Sequence, residues 1–191
     1  MAEQILYRLD GSSLRATGRW SLGRSAVGGV HPTGSAYVYV RYEGGKAWLS
    51  RLDLRRGTRR DLWAIEGQEP PMSPSYSPDG ERIVFVRARG DGMQALWSYR
   101  DQDGGPRPLS RGFKLLHSPR FISQQKILMV CSEGLRPQAC IHRLDHGETL
   151  VVSDVPYGLL DPQHIRARGL FLLNRTAGGW SLDRIKKRSV R

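Results

Sequence analysis

The chain has 191 residues, 39% of them hydrophobic, which excludes global disorder and allows one domain or two small ones with a genuine core. Its 30 Lys+Arg against 18 Asp+Glu give a formal net charge of +12, which favours an acidic partner: nucleic acid, an anionic surface or an acidic protein. No apolar run approaches the ~18 residues of a membrane helix, and Met1-Ala-Glu-Gln4 opens without the basic and apolar segments of a secretory signal. These features predict a cytoplasmic protein with no membrane span; a leader removed ahead of Met1 would place it in the periplasm instead.

In chain order, Ile5–Leu9 and Leu14–Thr17 read as two short strands. His31-Pro-Thr-Gly34 is a turn, followed by the alternating strand Ala36–Arg41, the loop Glu43-Gly-Gly45, the strand Ala47–Leu54, and Arg60–Trp63. The same cassette returns as Ser77-Pro-Asp-Gly80, Arg82–Arg87, Leu96–Arg100, Asp103-Gly-Gly105 and Pro108-Leu-Ser110. A third copy keeps the strands but loses the proline turn: Phe121–Gln125, Lys126–Cys131, Ala139–Asp145 and Thr149–Val152. A fourth is shorter, with Gln163–Arg168, Gly169–Arg175, Ala177-Gly-Gly179 and Trp180–Ile185, before the basic tail.

Pro32 to Pro78 is 46 positions and Trp48 to Leu96 is 48. That spacing suits a propeller blade of about 40 to 50 residues. Each cassette is an antiparallel meander that cannot bury both faces alone, and stacking neighbours solves this. The fold class read from the pattern is all-β: a β-propeller of about four four-stranded blades, with the first and last blades split between the termini. The blades fall at 25–67, 68–112 and 113–156, with strands of the split closing blade at 1–24 and a partial blade plus basic tail at 157–191. A β-sandwich would share the strand content but not the repeated cassette.

Ser77-Pro-Asp-Gly80, Arg82-Ile-Val-Phe-Val-Arg87, Leu96-Trp-Ser-Tyr99, Asp103-Gly-Gly105 and Pro108-Leu-Ser110 together resemble the WD-like repeat of TolB-type β-propellers. The likeness is strongest over 74–112 and thins toward both ends of the chain. It implies a propeller that works through protein contacts. Some peptidases carry propellers of this repeat type as gating domains, which is a further implication of the same resemblance.

Catalytic motifs are weak. In Ser77-Pro-Asp-Gly80 the proline sets φ, the aspartate bonds back to its own backbone and the glycine takes positive φ, so the motif is read as a turn. Gly23-Arg-Ser-Ala-Val27 lacks the second glycine of a nucleophile elbow. Cys131, Cys140, His142 and His146 lie within sixteen positions of one another, but the cysteines are nine apart, unlike structural zinc spacing. No metal and no cofactor is therefore expected. The two cysteines flank a turn-like stretch and could meet across a hairpin; the preferred reading is two reduced, half-buried thiols. Asn174-Arg-Thr176 matches a glycosylation sequon and is read as a turn.

The charge sits in clusters, at Arg55, Arg56, Arg59 and Arg60 and in the tail with Lys186, Lys187 and Arg188. Loops between the second and third strands of each blade gather on one face and hold Arg41, Tyr42, Arg87, Arg89, Arg136, Asn174 and Arg175. Arginines there suit carboxylates or phosphates. The expectation is a non-catalytic interaction module whose partner-binding residues are Arg41, Tyr42, Arg87, Arg89, Arg136, Arg175, Lys186, Lys187 and Arg188, facing an acidic protein. An unclosed ring would instead expose edges for a second copy. The alternatives are a nucleic-acid-associated protein binding without sequence preference, and a propeller lyase, hydrolase or gating domain.

Overall fold

The computed structural model describes residues 3–9, 15–65, 72–134, 136–154, 159–165, 169–176 and 179–184, with side chains as far as Val152. The described residues are strands and turns, with one short 3-10 turn at Asp101–Asp103. Among them no helix is long and apolar enough to cross a membrane.

The first sheet comprises β1 (Glu3–Leu9), β2 (Ala16–Val30), β3 (Ala36–Glu43), β4 (Lys46–Asp53) and β5 (Arg59–Ile65), hydrogen-bonded in that order. The second holds β6 (Met72–Tyr76), β7 (Ile83–Ala88), β8 (Gln94–Tyr99) and β9 (Arg107–Pro108). The third holds β10 (Leu115–Ser123), β11 (Lys126–Ser132), β12 (Gln138–Arg143) and β13 (Glu148–Asp154). The fourth holds β14 (Leu159–Ile165), β15 (Gly169–Thr176) and β16 (Gly179–Arg184). Every ladder is antiparallel between sequence neighbours, which is the meander expected of propeller blades.

The strand alternation explains the stacking. On β7, Ile83 and Phe85 pack with Val38, Leu49, Tyr76 and Tyr99 between the first and second sheets. Val84 and Val86, pointing the other way, pack with Leu116, Ile127 and Met129 between the second and third. Ile83 to Val86 are all buried, so this part of β7 has no solvent face. A sheet buried on both faces reads as a continuous apolar run, as Ile83-Val-Phe-Val86 does.

The amino terminus departs from the expected split blade. Closure of the ring would pair the two short strands with Gly169–Ile185, and an open array would not; β1 pairs with β2 from Glu3↔Arg24 to Leu9↔Ala16, and β2 continues into the first sheet through Ser25↔Arg41 to Val30↔Tyr37. Among the described residues no ladder joins β1 or β2 to β14–β16. The cause is packing: Leu22, with Leu6 and Trp20, lies against Tyr37, Tyr39, Leu52 and Leu54, covering the face of the first sheet that points away from the second. The strand expected to end at Thr17 runs on as β2 through Gly23, Gly28 and Gly29. Gly28 has a structural reason, since a Cβ there would overlap the Val38 carbonyl, and its N–H donates to Tyr37 Oη at 2.7 Å.

The repeat is also visible in hydrogen bonds. Gly80 N–H donates to Ser77 O at 2.9 Å and Ser77 N–H to Arg82 O at 2.8 Å; Gly34 and His31 make the equivalent bonds, to His31 O and Ala36 O, both at 2.8 Å. Asp79 accepts from the Ser77 hydroxyl and from Glu81 N–H at 3.0 Å, and these bonds, the hydroxyl first, hold its carboxyl below its ordinary range. Gly80, at φ 79°, is required there, and a side chain on it would also collide with His31.

The cysteines differ from expectation as well. Cys131 and Cys140 form a disulfide across β11 and β12, with Cα atoms 5.9 Å apart. They are diagonal neighbours, Cys131 pairing with Gln138 and Cys140 with Met129, so both side chains share one face. Both are buried between the second and third sheets, as small core residues would be, and the register brings their sulfurs together.

Two predictions follow from this core. Intact protein should show no thiol reactive toward iodoacetamide until reduced, and Cys131→Ser/Cys140→Ser should lose about 2–3 kcal/mol in urea unfolding, the chain-entropy value for so short a loop. A free-thiol signal of two per chain in unreduced, unfolded protein would refute the pairing. His142, buried between β11 and β13 with Nδ1 3.0 Å from Thr149 Oγ1, has its pKa lowered by burial. The unfolded chain then protonates first, so stability is full above about pH 6.5 and declines as pH falls through it. His31 is shifted the same way, by burial first and Arg51 second. The His142→Phe variant should therefore show a shallower, not a flat, loss of unfolding free energy between about pH 7 and 5; an unchanged slope would exclude His142 as a contributor.

Candidate binding face

Because consecutive strands are antiparallel, the β3–β4, β7–β8 and β11–β12 loops leave the sheets at one end, together with the β9–β10 connection. Contacts between these loops confirm the grouping. Gln94 and Phe113 exchange backbone hydrogen bonds at 2.7 Å, and Arg111 pairs with Glu133 of the β11–β12 loop. A side chain at Gly112 would run into Met93 and Arg89, so the two loops of the second sheet touch.

The structure separates the expected binding residues into two kinds. Arg41 is 5% exposed, and its guanidinium pairs with Glu43 and with Asp61 at 2.9 Å while lying 5.7 Å from the Trp48 ring centroid. Arg87 is half-buried, its guanidinium 5.1 Å from the Trp63 ring and 5.3 Å from the Trp97 ring, linking the first and second sheets. Both are strand residues whose charge is occupied within the protein. Tyr42 is half-buried, and burial raises its hydroxyl pKa.

Arg89 and Arg136 are loop residues and exposed. The Arg89 side chain is 44% exposed and pairs with Asp91 at 3.3 Å. Arg175 lies on β15, opposite Trp180, and its side chain is outside the described residues, as are Lys186, Lys187 and Arg188. Asn174 stands opposite Ser181 on the same strand. Sequence reading omitted Arg111 and Lys114, both exposed, because it considered only loops within a blade. The connection between blades emerges at the same end, and the basic-aromatic string Ser110-Arg-Gly-Phe-Lys114 was the available signal.

A cleft of about 390 Å³ opens here between the β9–β10 connection and the third sheet. Phe113, Cys131 and Val151 give it apolar walls, and Arg111, Glu133 and Arg136 line its polar part. Gln94 positions the Phe113 side of it, since its Oε1 accepts from Leu116 N–H at 2.7 Å and so fixes where β10 begins. Thr149, on β13, connects the cleft to the buried His142. At the opposite end a smaller cavity of about 280 Å³ lies beside the Ser77–Gly80 turn, with Arg82 and Arg100 in its lining. Burial lowers the pKa of Arg82, and Arg100 lowers it further.

No family model matches the chain. Uncharacterized peptidase YuxL of Bacillus subtilis (strain 168) is 30% identical over 96 residues, covering 47% of this chain and 15% of that protein. TolB from Acinetobacter baumannii superposes with a TM-score of 0.70 at 16% identity, over 88% of this chain and 44% of TolB. A chain of the nidogen/laminin complex gives 0.73 at 9% identity, over 96% of this chain and 71% of the other. The chain thus spans less than half of TolB and a small part of YuxL. Repeated turns, meander sheets stacked in chain order and these superpositions agree on one architecture: the chain has the TolB-like β-propeller fold.

Proposed function

We propose that the protein is an interaction module that docks an acidic protein partner on the loop end carrying Arg89, Arg111, Lys114 and Arg136. The observation behind this is the division among the cations. Arg41 and Arg87 are buried or half-buried against carboxylates and indole rings, whereas Arg89, Arg111, Lys114 and Arg136 are exposed, Arg89 and Arg111 in surface ion pairs with Asp91 and Glu133, and Arg111 and Arg136 at a cleft with apolar walls. Exposed guanidinia beside an apolar depression combine steering with a place for an anchor side chain. That a chain of similar fold occurs in a complex of two proteins supports the same use. The nucleic-acid alternative has less support: among the described residues the loop end shows no row of exposed aromatics for base stacking.

A second reading has its own observation, the match to a protein named as a peptidase. On that reading the face meets a hydrolase domain, and the propeller controls access to it. The disulfide supports an oxidising compartment, periplasmic or extracellular, over the cytoplasm.

The test is affinity purification of the tagged protein from its own cells with quantitative mass spectrometry, for wild type and Arg89→Glu/Lys114→Glu. The expected result is a stoichiometric acidic partner that is depleted at least tenfold in the variant and weakened by salt. Recovery of the same partners in the same ratio would reject this face. If the partner is a hydrolase, or the recovered complex cleaves fluorogenic peptides, the second reading is favoured.

A further inference from the structure

We propose that the cleft between the β9–β10 connection and the third sheet binds the carboxy terminus of a peptide whose last side chain is apolar. This names the ligand chemistry of the face assigned above and rests on that reading. Its volume, about 390 Å³, lies within the range of small-ligand sites and exceeds what one apolar side chain and a carboxylate occupy.

Charge selects the carboxylate. Among the described residues Arg136 has no carboxylate partner, while Arg111 at the same cleft is engaged by Glu133 and rests 5.6 Å from the Phe113 ring. The local balance is two guanidinia against one carboxylate, a single net positive charge. That suits a monoanion better than a phosphate dianion, and a guanidinium fork matches the two oxygens of a carboxylate.

The apolar walls select what precedes the carboxylate. Val151 is exposed at 53% and lines the cleft beside the buried Phe113, so an apolar ligand side chain would take Val151 out of water. The wall is also stiff. Cys131 is tied to Cys140, and the loop between them carries both Glu133 and Arg136. Thr149 is anchored through His142. A pre-formed wall lowers the ordering cost of binding.

Calorimetric titration of the full chain with N-acetyl-Ala-Leu, as free acid and as carboxamide, tests this. The acid is expected to bind at least tenfold more tightly than the amide. Arg136→Ala should remove that preference, and Glu133→Gln, by freeing Arg111, should strengthen acid binding severalfold. Circular dichroism of each variant verifies the fold. Equal binding of acid and amide, no binding of either, or indifference to both substitutions overturns the proposal. So does inorganic phosphate displacing the acid at equal or lower concentration, which would make the cleft a general anion site. Arg107→Glu, opposite Ser98 at the other end of β8, should keep dipeptide binding. If the dipeptide fails while Arg89→Glu/Lys114→Glu still loses its protein partner, the ligand assignment falls and the docking face stands.

Discussion

Everything in this chain depends on sheets that are apolar on both faces. Ile83 and Phe85 look toward the first sheet, Val84 and Val86 toward the third, and no arrangement of the second sheet alone keeps all four from water. The repeat is therefore a unit of packing and not a unit of stability, and each copy gains its order from its neighbours. The same demand falls on the outermost described face of the first sheet, where Tyr37, Tyr39, Leu52 and Leu54 have no sheet beyond them other than the β1–β2 hairpin. Leu6, Trp20 and Leu22 meet that demand. A long β2 that serves two ladders in succession follows from this, because the same strand must both cover the sheet and enter it.

Once the strands are committed to packing, chemical freedom remains at their ends. The end carrying the β7–β8 and β11–β12 loops shows how quickly it is used up. Arg41 and Arg87 stand one or two residues inside a strand, close enough to the sheet for neighbouring carboxylates and indoles to take up their guanidinia. Arg89 and Arg136, a few positions further along, are past the last ladder pair and reach solvent. Identical side chains thus serve cohesion or recognition according to where the pairing stops.

The repeat, the meander order and the all-β class were legible because they rest on period-two alternation and on turn chemistry that any residue string displays. Ser77-Pro-Asp-Gly80 was read correctly as a turn for the same reason, and its hydrogen bonds match those of His31-Pro-Thr-Gly34. The binding face was legible only in part. Strand ends could be placed on it, yet whether Arg87 faced water or Trp63 depends on a residue 24 positions earlier in another sheet, which no local pattern reports. Arg111 and Lys114 lie on an inter-blade connection, which returns to the same end as the hairpin loops, so a pattern confined to hairpin loops does not include them. The disulfide was undecidable from spacing: nine positions permit a cross-strand bond only in one register, and that register is set by packing of Met129 and Cys140 against the second sheet.

That register also gives the disulfide its meaning. The strands it joins are already paired along their length and buried, so the cross-link stabilises through the unfolded chain and not by adding strand pairing. What it constrains is the short connection beyond them, the segment from Ser132 to Ala139. A covalent clamp at the base of an exposed loop lowers the number of conformations available to it in the folded state as well as in the unfolded one. Ser132 continues the clamp, its Oγ accepting from Gly134 N–H at 3.1 Å. Glu133 and Arg136 are thereby held at the mouth of the cleft by bonds that begin in the core. The propeller packing and the position of its charged rim are consequently one structural problem, solved at the same pair of residues.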